Sequence, residues 1–235
     1  MKKNIFTFII PLCLALTLSA CGQSTREAEL APLPPPEPDG GPFGVDLNIN
    51  MGTIDDFLER PDVAYRDMRM LFDPADFESI GGISTLTRTL PGFRITSLPY
   101  IATLSAMPVS GAYEGDTLFD VVWGEGNEIL EIRPNYIESE LILEELFPKD
   151  TVIFLMCGGA GYSALSRALL VHMGLDPELI YSTGGNWYYE GDRSLSLTWP
   201  NDAEAADIGA EDIIYATWRA NYAYIDFSRL RPVGR

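Results

Sequence analysis

Histidine, lysine and cysteine are the scarce residues of this 235-residue chain. His172 is the single histidine. A zinc site built on histidine therefore has no second imidazole, and no metal or cofactor is expected. His172 falls nine positions after Ser163, on a later turn of the same helical pattern, so a Cys–His nucleophile pair is not expected either. It reads as a helix-surface group in the C-terminal turn, where a cation complements the dipole. Lysine is limited to Lys2, Lys3 and Lys149, and the formal net charge is -18. Such acidity argues against a nucleic-acid partner. The other basic groups are arginines, better suited to structural carboxylate pairs than to a phosphate patch. The overall sign does not fix the charge of a small ligand, because exposed charges beyond about 8 Å are largely screened at physiological salt. With only Cys13, Cys21 and Cys157, a framework of disulfides is excluded.

What is present at the N-terminus is a sorting pattern. Lys2-Lys3 precede an apolar stretch from Ile5 to Ala20, interrupted by Pro11 and short for a bilayer span, which reads as a cleaved signal over residues 1–20. Its end, Leu18-Ser19-Ala20-Cys21-Gly22, resembles the lipobox of bacterial lipoproteins. That resemblance implies lipidation of Cys21, export, and anchoring to the bacterial cell membrane or envelope. Residues 21–44 carry Pro32, Pro34, Pro35, Pro36, Pro38 and Pro42 with Gly40-Gly41, and read as a semi-rigid tether. Loss of Cys13 with the signal and acylation of Cys21 leave Cys157 as the one free thiol. In an exported protein such a thiol is either reactive or buried and inert.

The surroundings of Cys157 favour chemistry. The apolar run Thr151 to Met156 ends at it, Gly158-Gly159-Ala160-Gly161-Tyr162 follow, and a helical pattern starts at once with Ser163 as the expected N-cap. Strand, tight loop and helix put the thiol over a helix N-terminus, where inward N–H groups and the dipole stabilise a thiolate, a persulfide or an anion. The wider pattern predicts an α/β fold with a mainly parallel sheet and helices on both faces. Strands are expected at Val63 to Arg69, Arg94 to Leu98, Thr151 to Met156 and Leu179 to Thr183, and helices at Ile54 to Glu59, Tyr136 to Phe147 and Ser163 to Met173. Thr117 to Trp123 and Glu128 to Ile132 flank Gly124-Glu125-Gly126-Asn127 as a hairpin. Glu138, Glu140, Glu144 and Glu145 read as the solvated face of a helix whose apolar positions are Ile137, Leu141, Leu143 and Leu146. Arg167 reads as an exposed helix arginine. Tyr215, Trp218, Tyr222, Tyr224 and Phe227 read as residues covering a core or, alternatively, capping the side of the molecule that carries the Cys157 loop.

The loop from Cys157 to Tyr162-Ser163 resembles the active loop of the rhodanese-like (sulfurtransferase) domain family, C-x-x-x-x-R-S before a helix. Gly184-Gly185-Asn186-Trp187 followed by Gly191 resembles that family's G-G-x-x-W-x-x-x-G ending, and Gly174 closes the helix where the family has glycine. Tyr65-Arg66-Asp67-Met68-Arg69 is similar to its D-V-R strand, and Asp67 and Arg69, matching a structural strand, are assigned no chemistry. Pro91-Gly92, Ile95 and Leu98-Pro99 resemble its P-G-A-x-N-I-P segment, and Pro148-Lys149-Asp150-Thr151 the approach to the active strand. The resemblance spans roughly residues 55 to 195. It implies a three-layer domain over residues 45–200, followed by an aromatic extension over 201–235. It also implies sulfane sulfur held as a persulfide on Cys157 beneath the N–H groups of Gly158, Gly159, Ala160, Gly161, Tyr162 and Ser163. The alternative is a non-catalytic binding or sensing module at the cell envelope. Partners are then a small sulfur donor or acceptor, or an envelope protein. Two positions depart from the pattern: Tyr162 replaces the loop arginine, and Gly82 stands where the family has a histidine. Without that arginine a phosphate dianion lacks its bidentate donor, which disfavours the phosphatases that share this loop type.

Overall fold

The computed structural model describes residues 30–104, 109–197 and 225–234. The chain divides into two compact units, Met1–Leu33 and Pro34–Arg235. Within the first, residues 30–33 form no helix or strand. The second is built on strands β1 (Val63–Asp67), β2 (Arg88–Thr89), β3 (Arg94–Ile95), β4 (Phe119–Trp123), β5 (Ile129–Pro134), β6 (Val152–Cys157), β7 (Ile180–Gly185) and β8 (Leu195–Ser196), with helices α1 (Leu98–Ile101), α2 (Ser139–Leu146) and α3 (Gly161–His172). Four strands form an all-parallel sheet in the order β3-β1-β6-β7. The unbroken apolar run of β6 matches its central place, since a strand covered on both faces has no polar side to show.

Strand alternation divides the two faces. Tyr65, Phe154 and Tyr181 are in register across β1, β6 and β7, with ring centroids 5.4 and 5.1 Å apart. On the other face Ile153, Leu155 and Cys157 join Ile142, Leu143 and Leu146 of α2 and Leu165 and Leu169 of α3 in one buried cluster. Each such aliphatic side chain contributes about 1.5–3 kcal/mol of transfer free energy. Both longer helices therefore share one face. The opposite face is covered by the segment leading into β1, whose only helix is the 3-10 turn Ile54–Phe57. There Tyr65 donates its hydroxyl hydrogen to the Phe57 carbonyl, and Tyr181 to that of Pro34 at 2.6 Å. Residues 34–44, expected as tether, thus belong to the folded unit: Asp46 N–H bonds Ser182 O at 2.8 Å and its carboxylate receives Glu37 N–H at 2.6 Å.

Helix α2 begins at Ser139, and that start sets its phase. Ser139, Ile142, Leu143 and Leu146 face inward, while Ile137 and Leu141, expected in the core, are exposed. Glu140 and Glu144 are solvated as expected, Glu145 is half-buried and Glu138 is buried. Glu138 departs because Arg231 holds it, through Nε at 2.7 Å and the backbone N–H at 3.0 Å, and lowers its pKa. This is the C-terminal segment covering the core: Ile225 and Leu230 join the cluster and Phe227 lies against Tyr136, centroids 5.5 Å apart. The hairpin forms as β4 and β5, antiparallel about the Glu125–Asn127 turn. The signal, Cys21, Tyr215, Trp218, Tyr222 and Tyr224 lie outside the described residues. Among the described residues no helix is long and apolar enough to cross a membrane.

Candidate functional site

The carboxyl ends of β1, β6 and β7 meet at one cavity of about 510 Å³. Arg69 and Met70 enter its wall just past β1, Cys157 ends β6, and Trp187 and Tyr188 follow β7. Ligands of parallel sheets are held at this edge. Phe43, Phe77, Ile80, Ile83 and Leu86 make most of the remaining wall apolar. The hairpin, to which the sequence lends no role, contributes Asn127 from its turn.

Helix α3 starts two residues earlier than expected, at Gly161, and Ala160 takes the cap position with a left-handed φ of 74°. Ser163 is therefore not the N-cap. It lies in the first turn, fully buried, donating to Ala160 O at 2.8 Å and accepting from the Ser182 hydroxyl at 3.1 Å. The early start leaves N–H groups of the first turn without helical partners, and those of Ser163 and Tyr162 act on the Cys157 thiol.

Cys157 is 2% exposed, with Sγ 4.0 Å from Ser163 Oγ. Burial pushes its pKa up, ahead of the opposing pull of the Ser163 N–H, the Arg69 guanidinium and the Tyr162 N–H; Asp67 adds to the rise. The stabilised thiolate expected from the loop alone is thus corrected: the cradle is present, but desolvation of the buried thiol outweighs it.

Two of the loop glycines, Gly158 and Gly159, answer to one side chain. Gly158 and Gly159 do not have left-handed φ values. A Cβ at Gly158 would lie 2.6 Å from Cε2 and Cζ2 of Trp187, at Gly159 2.9 Å from its Cζ3, and at Gly82 2.2 Å from its Cη2. The indole fills a slot only glycines leave open, which also explains the absence of a side chain at position 82. Gly185 has a different cause, since a Cβ there would lie 2.3 Å from the Gly158 carbonyl oxygen. The Trp187 Nε1 atom is buried and has no hydrogen-bond partner among the described residues.

Charge in the wall is arranged in two places. Arg69 clasps Asp67 through Nε at 2.8 Å and Nη2 at 2.6 Å, and Asp67, fully buried, also accepts from Thr89 at 2.9 Å. Tyr162 donates its hydroxyl to Asp73 Oδ2 at 2.8 Å, its ring edge-on to Phe77. Burial pushes the Asp73 carboxyl above its usual range, against the pull of the Ala75 N–H and of Tyr162. The Tyr162 phenol is raised by burial and by Asp73.

Of the residues singled out from sequence, Cys157, Gly158, Gly159, Gly161 and Tyr162 line the cavity, whereas Ala160 and Ser163 support it from behind. Arg167 does not reach it: half-buried, it donates from Nε to Ile180 O at 3.2 Å. His172 is exposed at the end of α3. Among the described residues no group of three His, Cys, Asp or Glu side chains could hold a metal. Arg69 and Asp73 escaped the sequence reading, Arg69 because a D-x-R strand reads as structural and Asp73 because nothing marks a carboxylate in a loop. No family model, no curated protein and no solved structure matches this chain.

Proposed function

We propose that this chain handles sulfane sulfur as a persulfide on Cys157, in the manner of a rhodanese-like domain, and that its preferred sulfur compounds are organic. The observation that carries this is the thiol at the end of the central strand, with the Tyr162 and Ser163 N–H groups and Arg69 favouring negative charge on it, at the base of a largely apolar cavity. In the step envisaged, the thiolate attacks the outer sulfur of an organic persulfide, R–S–SH. The S–S bond breaks, R–S⁻ leaves, and Cys157 holds the sulfur as –S–SH under those donors. A proton must leave Cys157 first, and bound ligand that excludes water strengthens every donor acting on the sulfur. The reading includes export and lipid anchoring through Cys21.

A second reading, a binding or sensing module without turnover, is favoured by the raised pKa of the buried Cys157 thiol. One experiment separates the two. Intact-mass spectrometry after exposure to an organic polysulfide should show one added sulfur, absent in Cys157→Ser and removable by an acceptor thiol. A native chain that gains sulfur only after denaturation would sink the transfer reading and leave the binding module.

A further inference from the structure

We propose that Asp73, in the wall of the cavity that Cys157 also lines, selects sulfur compounds that carry an amine or another cationic group on an apolar body and disfavours anionic ones. The proposal rests on Cys157 being the reacting thiol and adds the class of compound it receives.

The Asp73 carboxylate is fixed by two neutral donors: the Tyr162 hydroxyl on Oδ2 at 2.8 Å and the Ala75 N–H on Oδ1 at 2.9 Å. Neither cancels its charge. Among the described residues no lysine or arginine forms an ion pair with it. The cation that does line the cavity, Arg69, is bound bidentately by Asp67. A carboxylate offers about four lone-pair sites, and donors among the described residues occupy two of those on Asp73. A carboxylate in a largely apolar wall is left short of solvation, and a ligand ammonium restores it where an anionic ligand would worsen it.

The cavity wall offers two different electrostatic surroundings. At Cys157 the first-turn N–H groups and Arg69 favour an anionic sulfur, while Asp73 favours a cation. A compound with a persulfide sulfur at one end and an amine at the other satisfies both, and its carbon skeleton meets the apolar wall of Phe77, Ile83 and Leu86. A sulfonate or carboxylate in place of the amine faces Asp73.

The test uses two methanethiosulfonates of similar size, one with a trimethylammonioethyl group and one with a sulfonatoethyl group. In each case the Cys157 thiolate attacks the reagent's sulfenyl sulfur, the reagent's S–S bond breaks, methanesulfinate leaves and a mixed disulfide remains on Cys157. Rates at pH 8 and moderate salt are expressed as the cationic-to-anionic ratio, divided by the same ratio for the urea-unfolded chain, which carries the same formal charge. The folded chain should favour the cationic reagent by about tenfold. Asp73→Asn, which removes the charge and keeps one oxygen to accept the Ala75 N–H while its amide N–H donates to the Tyr162 oxygen, should bring the ratio down to the unfolded value, while Tyr162→Phe, which keeps the carboxylate, should preserve it. A folded wild-type ratio equal to the unfolded one overturns the proposal, whether or not the variants fold, and so does a preference that Asp73→Asn leaves intact. If the preference is found but organic persulfides leave no transferable sulfur, the cavity's selectivity stands and sulfur transfer falls. A native Cys157 that neither reagent reaches overturns both.

Discussion

The contact between the Cys157 loop and Trp187 can be tested as a thermodynamic cycle. Gly158→Ala places a Cβ 2.6 Å from two indole carbons, and the ring cannot retreat cheaply: its far edge already occupies the places of side chains at Gly82 and Gly159. Forced overpacking of this kind costs about 1–3 kcal/mol. Gly158 does not have a left-handed φ, so once the ring is gone alanine should cost nothing there and, by restricting the unfolded chain, could stabilise by about 0.4–1 kcal/mol. The Gly158→Ala cost in the wild-type background should therefore vanish in a Trp187→Ala background, a coupling of about 1–4 kcal/mol, within or just above what contacting pairs show. Urea unfolding followed by far-UV circular dichroism on the four proteins measures it. Equal costs in both backgrounds would refute the slot, and the loop glycines would then need a different cause.

Two other outcomes follow from the same loop. Ala160 holds a left-handed φ of 74° that a Cβ disfavours by about 1–2 kcal/mol, so Ala160→Gly should raise the urea midpoint; a lower midpoint would mean that the buried methyl contributes more than the backbone strain costs. Burial raises the Cys157 pKa in the folded state, so its contribution to stability is fully present below the unfolded value of about 8.5 and is lost as pH rises through the folded value. The wild type should accordingly lose stability relative to Cys157→Ala above pH 8.5, measured as a difference because Tyr65 and Tyr181, pushed up to about 12, behave alike in both proteins. A constant difference across that range would show that the thiol titrates normally.

The parts of the fold legible in the sequence were those set by local pattern. The apolar run before Cys157 gave the central strand, and the hairpin showed in two β-rich runs about a glycine-containing turn. Phase and cover were less legible. The inward face of α2 depends on its start at Ser139, and Glu138 is buried because a residue 93 positions away, Arg231, binds it. Proline and glycine made residues 34–44 read as tether, yet composition cannot register a contact such as that of Pro34 O with the Tyr181 hydroxyl. At the site, the loop and its thiol were found from sequence, but the sign of the thiol's pKa shift was not, because it is decided by how completely Cys157 is enclosed.

The two departures from the rhodanese-like pattern, at positions 82 and 162, are tied together by the cavity. Trp187 occupies the volume a side chain at Gly82 would need, and Phe77 touches both that indole and the Tyr162 ring, with centroids 5.8 and 6.0 Å apart. Tyr162 in turn gives its only hydroxyl hydrogen to Asp73. An arginine introduced at 162 would meet that carboxylate at hydrogen-bonding distance and pair with it before it could serve an anionic ligand. The positive charge near the thiol comes instead from Arg69, fixed from behind by the buried Asp67. A thiol with one shared cation, an apolar enclosure and a carboxylate in the same wall is poorly matched to an inorganic dianion. On the proposed reading it is better matched to an organic sulfur compound, because Tyr162, Trp187 and Asp73 together shape the wall around the thiol.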